Sequence, residues 1–155
     1  MPKKELSHSR RKDSLRTWLR LLACESQIEQ RLRSLFRQNF QVTLPQFDVL
    51  SELEHASDPL TMSELSRELM VSNGNITGVI DRLVKMNLVE RTRPPHDRRI
   101  QYIALTTLGS KEFTRMARQH ELWVSEMFRG LTRDDMRQLQ GLLINARKSI
   151  VDNSN

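Results

Sequence analysis

Residues 61–106 read TMSELSRELMVSNGNITGVIDRLVKMNLVERTRPPHDRRIQYIALT. Thr61 and Glu64 have the spacing of a capping box, in which each side chain bonds the other's backbone N–H. That predicts a short helix of about two turns, backed by Leu65 and Leu69. Val71–Gly74 reads as a turn. Ser72 can cap a second helix, Ser72–Met86, whose apolar residues Ile76, Val79, Ile80, Leu83 and Val84 recur at three and four. Asn87 suits the left-handed residue that closes such a helix. The period then changes to two, and Leu88–Arg93 and Ile100–Thr106 are rich in β-branched residues, as in strands. The tip between them, Pro94–Arg99, carries two prolines and two arginines. Short helix, turn, second helix and β-hairpin together make a winged helix-turn-helix.

That arrangement points to duplex DNA. A second helix of this kind can lie in the major groove with its first residues on base edges. Here those are Ser72, Asn73, Asn75 and Thr77. Asn pairs bidentately with adenine, and Ser or Thr bonds several base edges or phosphates. Gly74 and Gly78 lack bulk, which permits close approach to a duplex or to the preceding helix. Arg82, one to two turns on, can reach a phosphate. Arg98 and Arg99 at the hairpin tip suit the narrow minor groove, where the negative potential is strongest. Asp97 would repel DNA unless it orients a neighbouring arginine by a charge-assisted hydrogen bond.

Outward from this centre, Thr43-Leu44-Pro45 starts a helix with Phe47, Leu50 and Leu53 as its stripe, ended by Ser57-Asp58-Pro59. Before it, a long helix carries Leu15, Trp18, Leu22, Ile28, Leu32, Leu35 and Phe36 at helical spacing, with no breaker before Asn39. Residues 1–12 are polar and without apolar periodicity, so a disordered basic tail is expected there. Thr107-Leu108-Gly109 is expected to end the hairpin. A helix then bears Phe113, Met116, Trp123, Met127 and Phe128 and stops at Gly130. Thr132 and Asp135 open a last helix with a heptad-like seam at Met136, Leu139, Leu143, Ala146 and Ile150. The expected fold class is mainly α (α+β), with residues 13–155 as one domain. Its winged lobe spans about 44–109, and its flanking helices about 13–40 and 107–152.

Charge is placed rather than spread over the 155 residues, whose net is +6. Residues 1–20 hold seven basic against two acidic side chains, and residues 72–99 hold six against three. Residues 44–69 hold one basic against six acidic. Basic charge at the hairpin and second helix fits a polyanionic partner.

Other classes are poorly served. No apolar run approaches the roughly 18 residues of a membrane span, and no apolar stretch follows the basic start, so a secretory signal is not expected. His8, His55, His96 and His120 are scattered without metal-site spacing, and no GxSxG, P-loop or GxGxxG occurs. Neither a metal, a cofactor nor an enzyme is expected. The single cysteine, Cys24, fits a reducing cytoplasm. The alternatives are a constitutive DNA-binding protein without a small-molecule effector, or a redox-sensing one that uses Cys24, although an acidic neighbour and expected burial on the helix argue against a reactive thiolate.

LPQFDVLSEL (44–53), LTMSELSRELMVSNGNITGVIDRLVKMNLVER (60–91) and PPHDRRIQYIALTTLG (94–109) resemble the MarR family of bacterial transcriptional regulators. The family's Asp-x-Arg wing falls on Asp97 and Arg99. The resemblance implies a homodimer held by its terminal helices, each lobe reading half of a near-palindromic operator. It also implies a repressor released by a small aromatic acid between the lobe and those helices. Trp18, Leu22, Phe40, Phe47 and Trp123 are the candidates to stack a ring, and Arg33 or Arg37 to pair with a carboxylate or phosphate. RTWLRLLACESQIEQRLR (16–33) and MVSNGNITGVIDRLV (70–84) look most similar to regulators of hydroxycinnamate catabolism. For those, the effector class extends to aromatic acyl-CoA thioesters.

Overall fold

The computed structural model describes residues 2–69 and 73–153, with side chains described for 9–69 and 74–153. They form two compact units, Met1–His120 and Glu121–Asn155.

The first unit opens with α1, Pro2–Phe40. The helix therefore includes the segment expected to be a disordered tail. The correction has a local cause. Residues 3–14 contain no Gly or interior Pro, their Lys, Arg, Glu and Leu are good helix formers, and Pro2 sits where a first helical turn tolerates it. An apolar stripe is not needed to continue a helix already nucleated downstream. Gln41, at φ 56°, ends α1 in the left-handed region.

α2, Leu44–His55, starts on a capping box. Thr43 Oγ1 accepts from Gln46 N at 3.3 Å, and Gln46 Oε1 accepts from Thr43 N at 2.8 Å. This explains how a glutamine comes to be buried there. β1, Leu60–Thr61, precedes α3, Met62–Glu68, whose predicted Thr61–Glu64 box is present. α4 spans Asn73–Lys85, with Ile76, Ile80 and Leu83 fully buried and Val84 on its exposed flank. Ser72, the expected cap, lies outside the described residues. Asn87 closes the helix at φ 58°, with Asn87 N donating to Val84 O and Leu88 N to Leu83 O.

The hairpin strands are β2, Val89–Thr92, and β3, Tyr102–Leu105, shorter than expected at both ends. β3 is central in an antiparallel sheet ordered β1-β3-β2, pairing Leu60 and Arg91 with Ile103. Ile103 is accordingly fully buried, as are Phe36, Leu50, Leu65, Ile76, Ile80 and Leu83 of the same unit. α5, Thr107–Met127, begins directly after β3, so Gly109 sits in its first turn and does not end the hairpin. Thr106 holds that turn. Its Oγ1 donates to Asn87 O at 2.7 Å and accepts from Gly109 N at 2.9 Å.

In the second unit, α6, Arg133–Asp152, starts on the predicted Thr132–Asp135 box. It has no buried residue, and its seam residues Leu143 and Ile150 are exposed.

Candidate nucleic-acid interface

α4 divides cleanly by its period. Ile76, Ile80 and Leu83 anchor one face in the lobe. Asn75, Thr77 and Arg82 are exposed. Asn75 and Arg82 are seven apart, two turns of one line along the helix. The Asn73 backbone begins α4, while its side chain, like the whole of Ser72, lies outside the described residues. A Cβ on Gly74 or Gly78 would meet no atom within 4 Å. Close approach to the preceding helix is thus not what these glycines serve.

The wing tip is tied locally. Asp97 N donates to Pro94 O at 3.3 Å, closing the turn. Asp97 Oδ1 accepts from Arg99 N at 3.0 Å and from Arg99 Nε at 3.2 Å. The carboxylate is mostly covered, whereas the Arg99 side chain is 92% exposed. Its guanidinium is held at Nε while the side chain stays open to solvent. Arg98 is exposed beside it. At the base of the wing, the terminal amide of Gln101 lies against Arg93, 3.1 Å from its Nε.

The residues expected to hold a small ligand are dispersed. Phe47 is core, stacked on Phe113 at 5.7 Å and against Phe36 at 4.5 Å. Phe40 lies under the Arg115 guanidinium, 4.8 Å from its ring centre. Trp18 and Leu22 are exposed on α1, one turn apart. Trp123 belongs to the second unit, where it is half-buried. Arg33 and Arg37 do come together. With Ser34, Gln38, Thr43 and Leu44 they line a cavity of about 340 Å³, and Arg33 Nε also donates to Glu29 at 2.9 Å. Among the described residues, no aromatic ring lines that cavity. Cys24 is exposed, which corrects the burial expected for it.

A sequence model of the MarR family matches residues 40–100. The HTH-type transcriptional regulator YkoM of Bacillus subtilis is 32% identical over 121 residues, covering 78% of this chain and 77% of YkoM. The chain belongs to the MarR family. Among solved structures, a MarR family transcriptional regulator from Silicibacter pomeroyi superposes with a TM-score of 0.79 at 26% identity, covering 91% of this chain and 97% of that one. FabT of Streptococcus pneumoniae, solved in complex with DNA, shares the fold at a TM-score of 0.72 and 20% identity, over 91% and 99% of the two chains.

As a MarR-family protein the chain is a DNA-binding transcriptional regulator and not an enzyme. Among the described residues, no helix is long and apolar enough to cross a membrane. No cluster of three metal-ligating side chains occurs among them either. Sequence reasoning missed two features of the winged lobe. One is β1, too short to show a period. The other is an ion pair between Asp81 of α4 and Arg91 of β2, at 2.5 Å. Opposite charges ten residues apart on different elements leave no periodic signal.

Proposed function

We propose that this regulator is a homodimeric repressor that reads a near-palindromic operator and leaves it when a small anionic effector binds. α4 would enter the major groove with Ser72, Asn73, Asn75 and Thr77 toward base edges and Arg82 toward a phosphate. Arg98 and Arg99 would reach the adjacent minor groove. The observation that carries this reading is the Asp97–Arg99 contact. It neutralises the one carboxylate at the tip and fixes the arginine beside it while leaving that arginine exposed. FabT, a protein of the same fold, has been solved with DNA, which supports the same use here.

Dimerisation is supported by the apolar surface the single chain leaves open. On α1, Trp18 is 54% exposed, and Leu15, Leu19 and Leu22 accompany it. On α6, Leu142 and Ile144 are 66% and 68% exposed. Such stripes on long helices fit a self-complementary interface, as in a two-fold dimer. A dimer also supplies two copies of α4 for two half-sites. The protein would work in the cytoplasm, where its DNA is.

The effector reading rests on Arg33 and Arg37. Two guanidiniums lining a cavity of about 340 Å³ suit a carboxylate or phosphate, and that volume lies within the range of small-ligand sites. An aromatic acid or an aromatic acyl-CoA thioester satisfies that chemistry. A redox alternative draws on the exposure of Cys24.

Four measurements test the parts separately. Sedimentation should give a dimer that Trp18→Glu or Ile144→Glu dissociates; a wild-type monomer removes the dimer. Affinity for a duplex selected from a random library should fall steeply with salt. Calorimetry with p-coumaroyl-CoA and feruloyl-CoA should show binding; no heat at high micromolar concentration removes that effector class. DNA release by peroxide in the wild type but not in Cys24→Ser would favour the redox alternative.

A further inference from the structure

A carboxylate on the helix that faces DNA is an electrostatic cost, because it repels phosphates. Asp81 stands in the same helix as Asn75, Thr77 and Arg82 and is about half exposed. Its partner, Arg91, is the third residue of β2 and pairs across the sheet with the buried Ile103. Arg91 Nε is buried and has no hydrogen-bond partner among the described residues, so the guanidinium is held to α4 through its contact with Asp81.

The position of this contact matters more than its strength. α4 and β2 meet at a tight backbone corner, where Asn87 turns at φ 58° and Leu88 N returns to Leu83 O. The corner fixes where the hairpin starts, and the angle at which β2 leaves α4 is set by what else ties the two elements. Asp81 lies six residues before Asn87 and Arg91 four after. Their contact closes a triangle across the corner. The wing tip lies about 20 Å beyond it, at about 3.3 Å per residue. A swing of about 10° at Asn87, about 33 Å from the tip at the same rise per residue, moves it by about 6 Å, more than a hydrogen bond tolerates.

We propose that Asp81 and Arg91 are positioning residues that brace the wing against α4, so that Arg99 and the α4 side chains meet one duplex in fixed register. The inference rests on the reading of α4 and the wing as the DNA interface. It makes a prediction of unusual sign. By charge alone, removing Asp81 from a polyanion-facing helix strengthens DNA binding. As a brace, its loss weakens specific binding. Both partners are partly exposed, so their pairing adds little to global stability and the two effects separate.

The test uses the full-length protein, a duplex selected by it from a random library, and a scrambled duplex of equal length. Asp81→Asn should weaken binding to the selected duplex by roughly ten-fold, within the usual range for coupled side chains. Binding to the scrambled duplex should be unchanged or tighter. The exchanged pair, Asp81→Arg with Arg91→Asp, should recover most of the loss. Melting temperatures should stay within a few degrees of wild type. Adding Arg99→Ala to Asp81→Asn should cost less than the two losses combined, since a displaced wing has already lost its contact. Equal tightening on both duplexes would make Asp81 an ordinary surface charge and overturn the brace. Fully additive losses would do the same. If Arg99→Ala alone changes nothing on the selected duplex, the interface reading itself fails, and the brace with it.

Discussion

A Cβ added to Gly109 would stand 1.8 Å from the carbonyl oxygen of Leu88 and 2.8 Å from its carbonyl carbon. The first turn of α5 therefore packs on the backbone at the start of the wing with no room for a side chain. The obstacle is backbone, and Leu88 is pinned by its own bonds: its N donates to Leu83 O and its carbonyl accepts from Thr106 N. Gly109→Ala must displace either the helix or the hairpin. Overpacking of this kind costs about 1–3 kcal/mol, and a fixed backbone neighbour places this case at the upper end. Urea denaturation should show it as a lower midpoint with an unchanged slope. Gly74→Ala, where nothing lies within 4 Å, is the control and should not destabilise.

The capping boxes make stability depend on acid. Glu64 is held below its ordinary value of 4.5, first by the Thr61 backbone N–H and then by the Thr61 hydroxyl. Asp135 is held below 3.8 by the Thr132 hydroxyl and then its N–H. A carboxyl whose folded value is depressed adds stability that is present above its unfolded value and lost as the pH falls through the folded one. Stability should thus decline below about pH 4.5, and Glu64→Gln should flatten that decline. Thr61→Ala removes the hydroxyl cap and should cost about 1 kcal/mol at neutral pH.

These boxes also show what a sequence of this kind exposes to reading. Thr61-x-x-Glu64 and Thr132-x-x-Asp135 are local, and local chemistry places helix starts well. Ile76, Ile80 and Leu83 announce α4 by their period, and Asn87 ends it as its residue type suggests. Features that depend on tertiary partners were not legible. Gly109 reads as a terminator, yet its reason is Leu88, 21 residues away. β1 exists because β3 offers an edge to Leu60 and Thr61. Gln41 takes a left-handed conformation without being Gly or Asn. Among ligand candidates, spacing joined Arg33 to Arg37, one turn apart, but could not tell that Phe47 is spent in the core.

His120 closes an aromatic cluster, with its ring centre 5.8 Å from Phe36 and 5.1 Å from Phe47. Burial holds its imidazole below the ordinary value of 6.5, because the charged form is desolvated there. The fold favours neutral His120, so the associated stability is present above pH 6.5 and is lost as the pH falls through the lower folded value. A chemical-shift titration should place His120 below 6.5. His120→Phe, which keeps a ring in the cluster, should make stability less dependent on pH between 7 and 5. An unchanged slope would show that His120 does not titrate with folding.

Arg99 and Asp97 give the most direct test of the wing. If Arg99 enters the minor groove from a fixed pose, Arg99→Ala loses both a cation and its placement, and selected-duplex binding should weaken by about 1–3 kcal/mol. Asp97→Ala is more informative. It removes a negative charge near DNA, which favours binding, and frees Arg99 from the bonds to its N–H and Nε, which opposes it. Placement matters most on the selected duplex and charge matters on any duplex. Asp97→Ala should therefore lower the ratio of selected to scrambled affinity while leaving scrambled affinity equal or higher. Fluorescence anisotropy at several salt concentrations separates the two, because the cationic charge brought to the duplex sets the slope of affinity against salt and its exact placement does not. Arg99→Ala should reduce that slope and Asp97→Ala should not. An Asp97→Ala protein that binds both duplexes more tightly by the same factor would show that the contact does not position Arg99.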